Sequence, residues 1–386
     1  MSAAFDVVVV GAGIVGAACA RELAAGGLKT LVMDAGGVGG GATAAGMGHI
    51  VAMDDSPAQL ALTSYSQRLW HELAEQLPND AEFESCGTLW VASDDEEMDE
   101  VRRKQKVYAL AGVRSEVLSA DALAQEEPHL RPLAGALLVP SDAVLYPPCA
   151  AGYLIREAIR MGAQVQLSRS VVFAGAGSVQ LDDGTKIQAP VIVNACGAEA
   201  PSLTPGLPIR KRRGHLVITD RYPGFVHHQL VELGYLKSAH SIATNSVAFN
   251  VQPRRTGQLL IGSSREFGAE DTDLNRALLG AMVTRARDYL PGIGDLQAIR
   301  VWTGFRAATP DKLPLIGPWP EDKTLYLATG HEGLGITTSL ATARLLASMI
   351  AGDKTEIDAT PYLPSRYSSL LGDYERSTEL RVTPHA

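Results

Sequence analysis

Residues 5–34 read FDVVVVGAGIVGAACARELAAGGLKTLVMD. Val7 to Val10 form an unbroken apolar run, the pattern of a parallel strand buried on both faces. Gly11, Gly13 and Gly16 follow in G-x-G-x-x-G spacing. A helix is expected to about Ala25, and Lys29 to Met33 read as a second strand ending at Asp34. Gly11 permits a tight turn, Gly13 lets a pyrophosphate approach the backbone, and Gly16 lets helix and strand pack closely. Ala12, Ile14 and Val15, between the glycines, belong to the same cradle, and Asp34 is placed to accept ribose hydroxyls. An acid at that position favours a free ribose, hence FAD or NAD rather than NADP, and does not separate those two.

The rest of the chain sets outer limits. At 386 residues it is long for one core and suggests more than one domain. A net charge of −9 disfavours a nucleic-acid partner. The four cysteines, Cys19, Cys86, Cys149 and Cys196, form no C-x-x-C pair. Disulfides, a structural zinc and an iron-sulfur cluster are therefore not expected, and no metal site is assigned. No signal peptide is read before the first strand, and no apolar run approaches the roughly 20 residues of a membrane span. The expected location is the cytoplasm, a reading compatible with peripheral attachment at the inner face of the cell membrane.

The segment GGVGGGATAAGMGHI (36–50) carries small residues onward past the second strand, which lets backbone lie against a large flat ligand. Here the chain resembles the D-amino-acid-oxidase-like FAD-dependent oxidoreductases, among them glycine oxidase and small dehydrogenases of amino and imino acids. The resemblance implies that Ala35, Ala42, Thr43, Ala44, Gly46 and Met47 line the path from the pyrophosphate to the isoalloxazine ring. LYPPCAAGYLIREAIRMGAQVQLSRSVV (145–172) resembles the family's crossover helix and the strand whose valine, Val171, lies beside adenine. QAPVIVNACGAEAPSL (188–203) resembles the turn that closes over the phosphates, with Ala195, Cys196 and Gly197 at its bend. VWTGFRAATPDKLPLIGP (301–318) completes the set. By contrast GAGS (175–178) lacks a third glycine and a following helix, and reads as a hairpin turn.

The expected fold class is α/β: a discontinuous Rossmann-like FAD-binding domain plus a smaller α+β substrate domain with a largely antiparallel sheet. Motif positions assign residues 1–79, 145–205 and 301–386 to the first, and 80–144 and 206–300 to the second. The alternating stretches GTLWVAS (87–93), GHLVITD (214–220), SVAFNVQP (246–253) and GQLLIGSS (257–264) supply the second domain's strands. SDDEEMDE (93–100) reads as a solvated helix start, and RKRR (210–213) as the entry to a strand. The active site is expected where the two domains meet.

Amine oxidation by a flavin moves a hydride from the carbon bearing nitrogen to N5, so that C–H bond must be oriented. An arginine gripping the substrate carboxylate does this best. The resemblance gives that role to Arg306 in GFRAATPD; Arg213, Arg254 and Arg265, from expected substrate-domain strands, are weaker candidates, and Tyr146 and Tyr235 are placed to help close the pocket. His49 and His331 are expected near the ring, tuning protons or donating a hydrogen bond; no residue demands the role of general base. Sarcosine oxidases attach flavin through a cysteine in the stretch corresponding to GFRAATPD; this chain has none there, so FAD is expected to be non-covalent.

The stretch TGHEGLGITTSLATARLLASMI (329–350) follows an apolar strand, TLYLA (324–328). Ile336, Leu340, Ala343, Ala347 and Ile350 recur at helical spacing and predict one apolar face. Gly333, Leu334, Gly335, Ile336 and Thr337 then form a helix start whose N–H groups point at the flavin N1/O2 edge. RRGHLVITD (212–220) with GHEGLGIT (330–337) most resembles the group of D-hydroxyproline dehydrogenase β subunits, opine oxidases and hydrogen cyanide synthase subunits. This resemblance implies a dehydrogenase of a D-amino or cyclic imino acid, hydroxy-D-proline first, with partner subunits carrying further FAD or iron-sulfur centres. The alternatives are a glycine- or sarcosine-oxidase-like oxidase using oxygen, a non-catalytic FAD relay or scaffold subunit, and an NAD-dependent dehydrogenase.

Overall fold

The Val7–Val10 run becomes a fully buried strand with a parallel neighbour on each side, Thr30–Asp34 and Val191–Asn194. The computed structural model describes residues 5–233 and 245–367. Its Cα framework divides into two units: residues 1–40, 151–210 and 307–386, and residues 41–150 and 211–306.

The first unit is built on a six-stranded sheet in the order Leu315–Trp319, Asp322–Thr329, Val191–Asn194, Val7–Val10, Thr30–Asp34, Gln164–Leu167. All pairs are parallel except the outer hairpin of Leu315–Trp319 with Asp322–Thr329. The chain leaves Val7–Val10 in one direction through Thr30–Asp34, and Val191–Asn194 later fills the other side. That reversal makes the carboxyl ends of these two strands a topological switch point. A three-stranded antiparallel sheet stands apart, and GAGS is a hairpin turn within it. Gly175 pairs with Ser178, and Ala176 and Gly177 both take left-handed φ.

The second unit is an eight-stranded sheet, antiparallel in its assigned pairings except where Gln229–Glu232 runs parallel to Thr88–Ala92. Alternation separates its faces. Val217, Phe249, Val251, Leu259 and Ile261 pack with Met282, Ala286 and Tyr289 of the helix Arg276–Tyr289. Leu216 and Leu260 turn the other way and pack with Met47. The acidic run opens the helix Asp95–Leu110, capped by Asp94 with three acids in its first turn, which suits the helix dipole. RKRR enters the long strand Arg210–Arg221.

The unit limits differ from those read in the sequence, most at residues 41–79, which group with the second unit rather than the first. Long-range polar ties explain this. Buried Asp142 accepts hydrogen bonds from Ala52 N and Gln67 Nε2, and burial pushes its carboxyl up to about 7. Asp54 pairs with the buried Lys104, whose ammonium sits over the Trp90 and Tyr108 rings. Among the described residues, no helix is long and apolar enough to cross a membrane.

Candidate active site

In the first unit the glycine turn sits at the switch point, and close backbone approach dictates its residues. Gly11 has φ +108°, and a Cβ there would stand 2.6 Å from the Ala195 carbonyl oxygen. A Cβ on Gly16 would run into the Gly11 carbonyl oxygen itself. The helix Ile14–Ala25 starts at extended Gly13 with no side-chain cap and no acid in its first turn. Such a start turns the partial positive charge of the helix dipole toward an anion. Val15 lies half-buried on that first turn, beside buried Ala12 and Ile14. Asp34 braces the turn: Oδ2 accepts from Ala12 N at 2.7 Å and Oδ1 from Gly36 N at 2.7 Å. A carboxylate has about four lone-pair sites, so this bracing is compatible with a further acceptor role. Ala35 is exposed beside it.

Ala195, Cys196 and Gly197 follow the neighbouring strand. The Cys196 thiol points at the Val10 carbonyl (3.4 Å), and burial pushes its pKa to about 12, which removes it from thiolate chemistry. Gly197 takes φ +55°, and its carbonyl accepts from Thr329 Oγ1 at 2.9 Å. Val171 is the half-buried first residue of the separate three-stranded sheet, paired with Leu181.

The second glycine loop is built differently. Glu332 takes φ +47° and its N–H donates to Ala307 O (3.1 Å); Gly333 takes φ +89°. Leu334 N–H returns to His331 O at 2.8 Å, and the helix Gly335–Ala351 starts without a side-chain cap. Instead of one apolar face, this helix is buried continuously from Ile336 to Ala343, Thr337, Thr338, Ser339 and Thr342 included. Buried hydroxyls are kept satisfied locally: Thr338 Oγ1 donates to Leu334 O and Ser339 Oγ to Ile336 O. His331 is 8 % exposed, lies 3.0 Å through Nε2 from Thr342 Oγ1, and is pushed down to about 3 by burial. A ring so placed stays neutral near pH 7 and ties the loop to the helix. A Cβ on Gly335 would meet Val15 Cγ2 at 3.6 Å, so the two uncapped helix starts lie side by side. Glycines that leave no room for a side chain, two uncapped helix starts and an aspartate at the strand end fit a dinucleotide.

In the second unit, Gly41 at φ +56° opens the short helix Ala42–Ala45, with Thr43 buried and Ala42 and Ala44 exposed. Gly46 N–H closes it onto Thr43 O at 3.3 Å. This segment lies against the sheet. Ala45 O accepts from Trp302 Nε1 at 3.3 Å, Gly304 abuts the Ala45 methyl, and Met47 O accepts from Gln252 Nε2 at 2.6 Å. His49 pairs with Val144 in a two-stranded ribbon.

Trp302, Gly304 and Arg306 alternate along the strand Ala298–Ala308, so Arg306 projects from the side on which Ala45 rests. Its Nη1 donates to Ser264 O at 3.1 Å. The other expected arginines are used in structure. Arg213 is buried against Glu266 (2.9 Å) and also bonds Asp271. Arg254 grips Glu82 through Nε and Nη2 and stacks 4.8 Å from the Tyr146 ring centre. Arg265 is buried, while Tyr146 is partly exposed. Tyr235 lies outside the described residues. Gly214, on the strand whose Arg213-Gly214-His215 entry is expected near the active site, lies against Arg306, and His215 holds Ser264, which the sequence did not single out. Among the described residues no acidic, histidine or cysteine cluster suits a metal ion.

The FAD dependent oxidoreductase family profile matches residues 6–349. Glycine oxidase from Geobacillus kaustophilus is 28% identical over 96% of this chain and 100% of its own. Its crystal structure superposes with a TM-score of 0.83 over 93% of this chain and 98% of that one. Hydrogen cyanide synthase subunit HcnC of Pseudomonas aeruginosa is 26% identical, covering 95% and 97% of the two chains. D-Amino acid dehydrogenase of Agrobacterium fabrum is 28% identical, covering 80% and 74%. A match spanning residues 6–349, on a chain whose parallel sheet carries this dinucleotide cradle, makes the protein a FAD-dependent oxidoreductase of the DAO family.

Proposed function

We propose that this chain oxidises the C–N bond of a small amino or imino acid that carries a free carboxylate. Hydroxy-D-proline is the first candidate, and the electrons pass to partner subunits or a respiratory acceptor. The observation that carries the reading is Arg306, on the side of its strand where the 42–48 segment rests, anchored through Ser264 O. FAD, when bound, supplies the acceptor for the hydride that leaves the carbon bearing nitrogen. Arg306 binds the substrate carboxylate and so fixes that carbon's orientation. Arg213, held by Glu266 and Asp271, supports the strand beside it. The uncapped start of Gly335–Ala351 contributes positive partial charge, and neutral His331 holds that start in place. The lone pair of a neutral amine can drive hydride departure, so this reading requires no side chain to take a proton from it.

A D-amino acid dehydrogenase and a synthase subunit among the relatives support the dehydrogenase reading and partner chains. A second reading, an oxygen-using oxidase acting on glycine or sarcosine, is favoured by the glycine oxidase likeness over 96% of the chain. Anaerobic bleaching of the flavin by D- and L-amino acids, imino acids and opines separates the two. Bleaching by hydroxy-D-proline, with slow reoxidation in air, is the expected result. Bleaching by glycine or sarcosine alone, with fast reoxidation, transfers the assignment to the oxidase. Arg306→Ala is expected to keep FAD and lose at least about 100-fold in kcat/KM, since a bidentate charged pair is removed. Unchanged turnover in that variant would instead favour a relay subunit.

A further inference from the structure

Gly214 has no conformational reason to be glycine: its φ lies outside the left-handed region that excludes side chains. What excludes a side chain there is Arg306. A Cβ on residue 214 would stand 2.8 Å from both Cζ and Nη2 of that guanidinium, and closer still to Nη1. Three atoms of one group at such range mean that the guanidinium fills the space a side chain at 214 would take. Its hydrogen-bonded anchor is Ser264 O, 3.1 Å from Nη1.

Ser264 is itself held by the residue that follows Gly214. His215 is fully buried, and its Nε2 accepts a hydrogen bond from Asn275 N–H at 3.0 Å. That places the ring proton on Nδ1, which donates to Ser264 Oγ at 2.9 Å, while His215 N–H donates to the same oxygen at 2.8 Å. Asn275 also caps the helix Arg276–Tyr289 and donates to Glu266, the partner of buried Arg213. The arginine's anchor is thus tied to a helix N-terminus and a buried ion pair. Burial, and the nearby Arg213 and Arg306 charges, hold the His215 ring below its ordinary pKa, against the pull of Glu266.

We propose that Gly214, His215 and Ser264 are positioning residues that set Arg306 in place to receive a carboxylate. Gly214 is the open seat for the guanidinium, and the His215–Ser264 pair fixes its anchor. This rests on the reading of Arg306 as the carboxylate clamp, and the test separates the two. Gly214→Ala adds one methyl whose nearest neighbours belong to the far end of a flexible side chain, so the fold is retained and the arginine is displaced.

The probe pair is pyrrole-2-carboxylate and pyrrole, one with and one without the carboxylate, titrated by calorimetry into FAD-loaded protein. Wild type is expected to prefer pyrrole-2-carboxylate. Gly214→Ala is expected to weaken that ligand roughly 10- to 100-fold, the range of a lost charged hydrogen bond, and to leave pyrrole binding unchanged. Ser264→Ala is expected to act in the same direction by several-fold. Its result decides the matter should Gly214→Ala lose FAD. If Arg306→Ala binds as wild type does, or wild type shows no preference for the carboxylate, the clamp reading itself fails. If Arg306→Ala loses the preference while Gly214→Ala and Ser264→Ala keep it, the clamp stands and the positioning proposal is overturned.

Discussion

The helices Ile14–Ala25 and Gly335–Ala351 both follow a strand of the same sheet, both start without a side-chain cap, and lie side by side. Their glycine loops nevertheless obey different rules. In the first, Gly16 is demanded by the Gly11 carbonyl and Gly11 by the Ala195 carbonyl, so backbone packs on backbone. In the second, a Cβ on Gly335 would meet only ordinary contacts, 3.4 Å to His331 Cβ and 3.6 Å to Val15 Cγ2. There the loop is shaped by left-handed Glu332 and Gly333, and by the His331–Thr342 contact. One start is fixed by the absence of side chains and the other by the presence of one. Similar glycine spacing therefore predicts unequal tolerance to substitution.

The largest effect is expected for Gly16→Ala. Overlap with a backbone oxygen cannot be relieved by a rotamer change, so the loss should be about 3 kcal/mol or more. FAD content and the melting temperature of the purified protein should both collapse; a variant that retains yellow colour at wild-type Tm would break the comparison.

An intermediate effect follows from His331. Its folded pKa of about 3 lies below the ordinary 6.5, so the unfolded chain takes up a proton that the folded chain refuses. The stability this ring contributes is present above pH 6.5 and lost as pH falls toward 3. His331→Gln should therefore lie below wild type in Tm at pH 7.5 and close that gap by about 2 kcal/mol by pH 5. Parallel melting curves at the two pH values would show that the ring is not held neutral.

The smallest effect is expected for Gly335→Ala. Alanine favours helix over glycine by up to about 1 kcal/mol, so Tm should hold steady or rise slightly. A fall as large as that of Gly16→Ala would mean that the two loops obey the same rule after all.

Legibility in the sequence follows the same division. The first loop, its strand and its helix could be read because their constraints are local: the apolar run, the glycine spacing and Asp34 all lie within residues 5–34. The hairpin at 175–178 and the acidic helix start were legible for the same reason. Arg213 shows the opposite case. It looked available for substrate because its partner, Glu266, lies 53 positions away. The grouping of residues 41–79 with the second unit depends on Gln67 reaching Asp142, a separation of 75. Gly214 sits within the stretch RRGHLVITD, but its reason for being glycine is the side chain of Arg306 on another strand. His331-Glu332 gained its account only when Thr342 and Ala307 were placed beside it.

The discontinuity of the two units also bears on the order of events during synthesis. The Val7–Val10 strand leaves the ribosome early, yet its partner Val191–Asn194 lies 184 residues later in register, Val7 opposite Val191. At typical elongation rates that gap lasts roughly 10–40 s. Throughout it, one edge of an apolar, fully buried strand has no native neighbour. The nascent chain thus carries an interval of aggregation hazard, ending only once the central strand of the cofactor sheet is enclosed.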